Sequence, residues 1–78
     1  MNLKELLDPI ATKYNVAITY QENSAEITGF FENNERLIAK KVNCKIDIEN
    51  ELDKLGIDYT MVSSFNPDKL TVTIKEKN

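Results

Sequence analysis

The sequence predicts an α+β fold: an antiparallel sheet of about five strands, in the order α-β-β-β-α-β-β, with two helices packed on one face. Three observations carry this prediction. Apolar residues recur at helical spacing in two stretches. Elsewhere the period drops to two, the mark of half-buried strands. The strands are joined by short turn signals, which make sequential neighbours antiparallel. At 78 residues the chain has the length of a single domain, residues 1–78. A domain of that size buries only ~60% of the surface its unfolded chain exposes, so its core has to be efficient.

The first helix is written in Leu3, Leu6, Leu7, Ile10, Ala11 and Tyr14, one apolar stripe with Asn2 as its cap. Pro9 either kinks this helix or opens a second short one capped by Asp8. Val16, Ile18 and Tyr20 then alternate with Ala17, Thr19 and Gln21 as a first strand, and Glu22-Asn23-Ser24 turns the chain. Ala25, Ile27, Gly29 and Phe31 form the apolar side of the second strand, where Gly29 signals close approach of a helix or a bulge. Asn33-Asn34 suits a two-residue hairpin, because asparagine tolerates the positive φ needed at both positions.

A third strand is expected from Arg36 to Lys45. Leu37 and Ala39 fall on one parity and Val42, Cys44 and Ile46 on the other, so a β-bulge at Lys40-Lys41 is predicted. The rival reading is a short helix over residues 35–43. Asp47 reads as the cap of the second helix, with Ile48, Leu52 and Leu55 on its apolar face and Gly56 as its left-handed end. Ile57, Tyr59 and Met61 open a strand that runs to Phe65. Asn66-Pro67-Asp68-Lys69 is a turn, and Leu70, Val72 and Ile74 form the last strand. A three-stranded meander and a hairpin result, with one sheet face, rich in Thr, Ser, Lys and Asn, turned to water. This element order is similar to that of type III secretion chaperones. Those are longer chains that share no motif with it, and the resemblance implies a fold and no activity.

Composition bounds the function classes. The hydrophobic fraction is 41% and the charged fraction 29%, as in a globular protein. A net charge of -3 argues against nucleic acid as the partner. Cys44 is the single cysteine, which rules out an intramolecular disulfide and points to a reducing compartment: the cytoplasm, or the host cytoplasm for a viral chain. Neither a signal-peptide h-region, nor a lipidation motif, nor a run of ~20 apolar residues is present, so no membrane partner is expected. Arg36 stands alone among many lysines, and asparagine and isoleucine are abundant, a bias of A/T-rich codons that fits a phage or low-GC bacterial origin.

The chemical inventory is sparse. Histidine is absent, which removes the commonest general base and metal ligand. Cys44 lies on the predicted buried face and reads as a structural thiol. Asp47-x-Glu49-x-Glu51-x-Asp53 has a superficial calcium-loop spacing, but Leu52 stands where that loop needs glycine. The pairs Glu22 with Glu26 and Glu32 with Glu35 read as solvated residues beside turns. With Gly29 and Gly56 as the only glycines there is no phosphate-cradling loop. No catalytic, cofactor-binding or metal-binding residue is therefore assigned, and an enzyme is not expected.

Surface remains. Asp47, Glu49, Glu51 and Asp53 precede Lys54 and read either as a solvated face with acids near the helix N-terminus or as an acidic ridge that docks on a basic protein surface. Phe30 is out of phase with Phe31 and is expected on the open sheet face, either in a minor second core or as a contact residue. Lys40, Lys41 and Lys45 read as charges that protect an edge strand. The leading expectation is a small, non-enzymatic, acidic protein acting by protein–protein contact, of the type of a phage inhibitor or modulator of a host or defence protein. The alternatives are a homo-oligomeric accessory subunit, with an edge strand pairing to its twin in a homodimer, and a nucleic-acid-binding module that uses the lysines and Phe30.

Overall fold

The computed structural model describes residues 2–75. Helix α1 (Leu3–Tyr14) leads into strands β1 (Ala17–Tyr20) and β2 (Ser24–Thr28), then a miniature hairpin, β3 (Phe31–Glu32) and β4 (Glu35–Arg36). Helix α2 (Ile38–Lys54) follows, and β5 (Tyr59–Phe65) and β6 (Asp68–Ile74) close the fold. Four strands form one antiparallel sheet in the order β1-β2-β6-β5, while β3 and β4 pair only with each other. The predicted meander is thus corrected to two hairpins, β1–β2 and β5–β6, joined at the centre by β2 against β6 with Ala25 opposite Val72.

Helix α1 begins where the Asn2 side chain accepts the backbone N–H groups of Lys4 and Glu5, at 3.0 and 3.4 Å. It runs unbroken through Pro9 and ends at Asn15, whose φ of 53° is left-handed. Helix α2 ends in the same way. The Gly56 N–H reaches the Asp53 carbonyl and the Ile57 N–H reaches the Leu52 carbonyl, the paired bonds of a Schellman motif, with Gly56 at φ 66°.

The largest correction concerns residues 36–45. They are not a bulged strand: from Ile38 onward they are the first half of α2, so Asp47 sits in mid-helix and caps nothing. Lys41, Cys44, Ile48 and Leu52 are the buried residues of this helix, at spacings of three and four. A lysine interrupts the apolar letters at the position where the stripe starts. The competing parity of Val42, Cys44 and Ile46 imitated a strand.

Leu3, Leu7 and Ile10 from α1, Cys44, Ile48 and Leu52 from α2, and Ala25, Ile27, Leu70, Val72 and Ile74 from the sheet make one core, completed by Phe30. Both helices therefore lie on one face. On the other face Lys69 pairs with Glu26 at 2.8 Å across β6 and β2, among exposed Thr19, Thr28, Thr60 and Thr73.

Phe30 is a second correction. It is 1% exposed and central to the core, whereas Phe31 is 54% exposed. Strand β2 stops at Thr28, and Gly29, at φ 117°, shifts the alternation by one residue. A Cβ on Gly29 would lie 3.3 Å from the Val16 Cα, so the close approach is to the chain entering β1 and not to a helix. The Leu37 N–H then donates to the Phe30 carbonyl at 2.7 Å, which pinches off the β3–β4 hairpin. Its Asn33 and Asn34, at φ 52° and 62°, form the expected two-residue turn.

Candidate functional site

The acidic residues of α2 do not share one surface. At 100° per residue, Asp47 and Glu51 turn toward α1, and Glu49 and Asp53 turn toward β5. Asp47 accepts from Lys13 Nζ and from the Tyr14 hydroxyl, each at 2.7 Å, and so clamps α2 to α1. Those two hydrogen bonds hold the Asp47 carboxyl below the usual carboxylate range and raise both Lys13 and Tyr14. Glu51 lies 3.5 Å from Lys54, and Glu49 4.0 Å from Lys45. On the β5 side, burial raises the Tyr59 phenol above its ordinary value, and the charges of Asp53 and Glu49 add to the shift. Phe30, singled out in the sequence as a contact residue, is core and touches no solvent-facing surface.

Two of the three lysines expected to guard an edge, Lys40 and Lys41, are instead helix anchors, while Lys45 pairs with Glu49 on its own helix. Lys40 Nζ donates to the carbonyls of Asn15 and Gly29, at 3.2 and 2.9 Å. Lys41 is buried. Its ammonium donates to Asp68 Oδ1 and to the Ser64 carbonyl, both at 2.6 Å, and lies 4.0 Å from the centre of the Phe65 ring. The Asp68 and Lys41 side chains are each 6% exposed. This cluster ties the β5–β6 turn to the first turns of α2. Arg36 lies outside it, 3.9 Å from Asp68 and 5.1 Å from the Phe65 ring. Cys44 is buried, and burial is the main cause that pushes its thiol up to about 11.

The feature that sequence reading missed lies along β5. Among the described residues this strand is an edge, hydrogen-bonded to β6 on one side only, and its seven residues carry no charge and no proline. An edge of that kind is normally protected. Beside it runs the flank of α2, where Ile38, Val42 and Ile46, at successive i+4 steps, are all exposed. With Val62 and Phe65 of β5 they account for five of the seven large apolar side chains exposed among the described residues. Between helix and strand a pocket of about 70 Å³ opens, lined by Ile38, Val42, Lys45, Ser63 and Phe65. That is far smaller than the ~300–1,000 Å³ of small-molecule sites, and it suits side chains packing against it. A wider open cleft of about 520 Å³ continues the surface past Phe31, Arg36 and Pro67. The signal that pointed here was the i, i+4, i+8 run Ile38, Val42, Ile46, readable only once the segment is known to be helical.

No family model matches the chain, and neither a curated protein nor a solved structure matches it. The likeness of element order to type III secretion chaperones is thus not accompanied by a matching structure. Among the described residues, no helix is long and apolar enough to cross a membrane, and no three His, Cys, Asp or Glu side chains are grouped to hold a metal.

Proposed function

We propose that the chain is a small non-enzymatic binding protein that works by protein–protein contact, with the β5 edge and the neighbouring flank of α2 as its working face. One observation carries this reading: the exposed apolar side chains gather at an unprotected seven-residue edge strand. Such a face supplies backbone donors and acceptors for strand addition, and apolar side chains for burial. A phage-type inhibitor or modulator would use it to occlude a host or defence protein. A homo-oligomeric accessory subunit would use it on itself. Glu49 and Asp53 border this face and keep the part in partner contact expected of them; Asp47, held between Lys13 and Tyr14, serves the fold.

The test is affinity purification from the native cell, comparing the wild-type chain with Val62→Lys. Val62 is 53% exposed, so this substitution spares the core. A protein recovered with the wild type, including further copies of the chain itself, is expected to be lost with the variant. An identical set of proteins from both would remove β5 as the working face.

A further inference from the structure

We infer that the occupant of the β5 edge is a second copy of this chain, paired antiparallel about a two-fold axis through Val62. The inference rests on the reading of this face as a protein-contact surface and specifies what it contacts. Three features of the face are self-complementary.

The first is register. Val62 is the central residue of Tyr59–Phe65, so a two-fold axis there overlaps all seven residues with their counterparts. Tyr59 then stands opposite the second copy's Phe65, Thr60 opposite Ser64, Met61 opposite Ser63, and Val62 opposite itself. Strand alternation separates these pairs by face. Val62, exposed on the open face, is covered by its own counterpart. Phe65, exposed on the helix face, meets an aromatic ring, a favourable cross-strand pair.

The second is charge. Helix α2 runs antiparallel to β5, since Lys41 contacts Ser64 at one end and Asp53 influences Tyr59 at the other. The flank is therefore basic at the Phe65 end, where Arg36 stacks on the ring, and acidic at the Tyr59 end, where Glu49 and Asp53 lie. The two-fold operation lays the basic end of one copy against the acidic end of the other, twice. Lys45, nearest the axis, has Glu49 of its own chain within 4.0 Å.

The third is the apolar stripe. Extending the sheet through β5 sets the two α2 helices side by side and antiparallel on one face. Ile38, Val42 and Ile46 of each copy then turn toward the other across the joined strands. A two-fold interface requires one patch to complement itself, and this patch does so in backbone, charge and apolar pattern together.

The experiment is sedimentation equilibrium with light scattering on the purified chain, from low micromolar to millimolar concentration. The wild type is expected to be dimeric, and Val62→Lys, which places two ammonium groups together at the axis, monomeric with an unchanged circular dichroism spectrum. Register is read by oxidation. Cα atoms opposite each other in an antiparallel pair are ~4.5–5.5 Å apart, within disulfide range. V62C is therefore expected to cross-link to itself. T60C is not, because its counterpart lies four residues along the strand, and buried Cys44 stays out of the reaction. Arg36→Glu is expected to weaken the dimer roughly threefold, with Arg36→Glu/Asp53→Arg restoring it. A wild type that is monomeric at millimolar concentration overturns the inference, as does a dimer that survives Val62→Lys or a V62C that fails to cross-link. Should the wild type be monomeric while Val62→Lys still loses a different protein on purification, the contact face stands and only the second copy is refuted.

Discussion

Lys41 shows how a single residue redirects a fold. Its ammonium is buried with Asp68, which lies on another element, and Ser64 and Phe65 complete its surroundings. Removing one partner of such a pair strands a charge away from water, at a cost of about 3–5 kcal/mol. Asp68→Ala is therefore expected to lower the urea midpoint by that equivalent, whereas Lys41→Met with Asp68→Leu, which removes both charges, recovers most of the loss. A double variant no more stable than Asp68→Ala would show that packing, not the stranded charge, dominates. Asp47 makes a different prediction, about pH. Its folded carboxyl is held below the ordinary value by Lys13 and Tyr14, so the native state binds its proton more weakly than the unfolded chain does. The stabilisation is fully present above the ordinary carboxylate value of about 3.9, and it is lost as pH falls through the lowered folded value. Asp47→Asn is expected to melt lower than the wild type at neutral pH. The difference should shrink on acidification below about pH 4, and melting temperatures across pH 2 to 7 would read it. A gap that stays constant through that range would mean the carboxylate's charge contributes nothing.

At the scale of elements, much of the architecture was legible and the exceptions share a cause. Helix α1, strands β1, β5 and β6, the Asn33-Asn34 turn and the Gly56 helix end follow from local periodicity and local backbone preference. The first half of α2 does not. Its apolar stripe begins at a lysine that is buried only because Asp68, 27 residues on, supplies a countercharge. Phe30 was misplaced because strand alternation continues in the sequence through Gly29, while in space the positive φ there ends β2 and resets the phase. The proposed contact face was illegible for a related reason. Whether β5 is an edge depends on β2 choosing β6, a pairing between distant segments that no local pattern contains. The two glycines measure how much these backbone conformations matter. Gly56→Ala meets open space and suffers only the left-handed penalty of roughly 1–2 kcal/mol. Gly29→Ala adds a tight contact with the Val16 backbone to a φ of 117°, which alanine tolerates less. Chemical denaturation should rank Gly29→Ala as clearly the more damaging of the two. Equal losses would mean that β1 moves aside freely and that the close approach is not what places Phe30.

For the whole molecule, the same logic separates what holds the chain together from what it offers to others. The core draws on α1, α2, β2 and β6 together with Phe30, and no residue from 31 to 36 belongs to it. Those six residues form a ribbon whose base is already closed by the bond from the Leu37 N–H to the Phe30 carbonyl. Arg36 reaches back toward Asp68, but Lys41 already neutralises that carboxylate at shorter range. The Arg36 guanidinium is itself half exposed and 3.9 Å away, and a long, solvent-screened contact of that kind contributes only about 0–1 kcal/mol. Replacing residues 31–36 by Asn-Gly, a two-residue turn suited to the same base, should therefore leave the circular dichroism spectrum intact and shift the melting temperature by only a few degrees. The replacement also deletes Arg36 and Phe31 from the margin of the β5 face, so association is expected to weaken, as it is for Arg36→Glu, while folding is not. Loss of cooperative unfolding in this variant would mean that the hairpin is a working part of the core and that its exposure conceals a structural role. A folded variant with impaired association would instead place the hairpin, with β5 and the flank of α2, among the parts of the chain that face a partner.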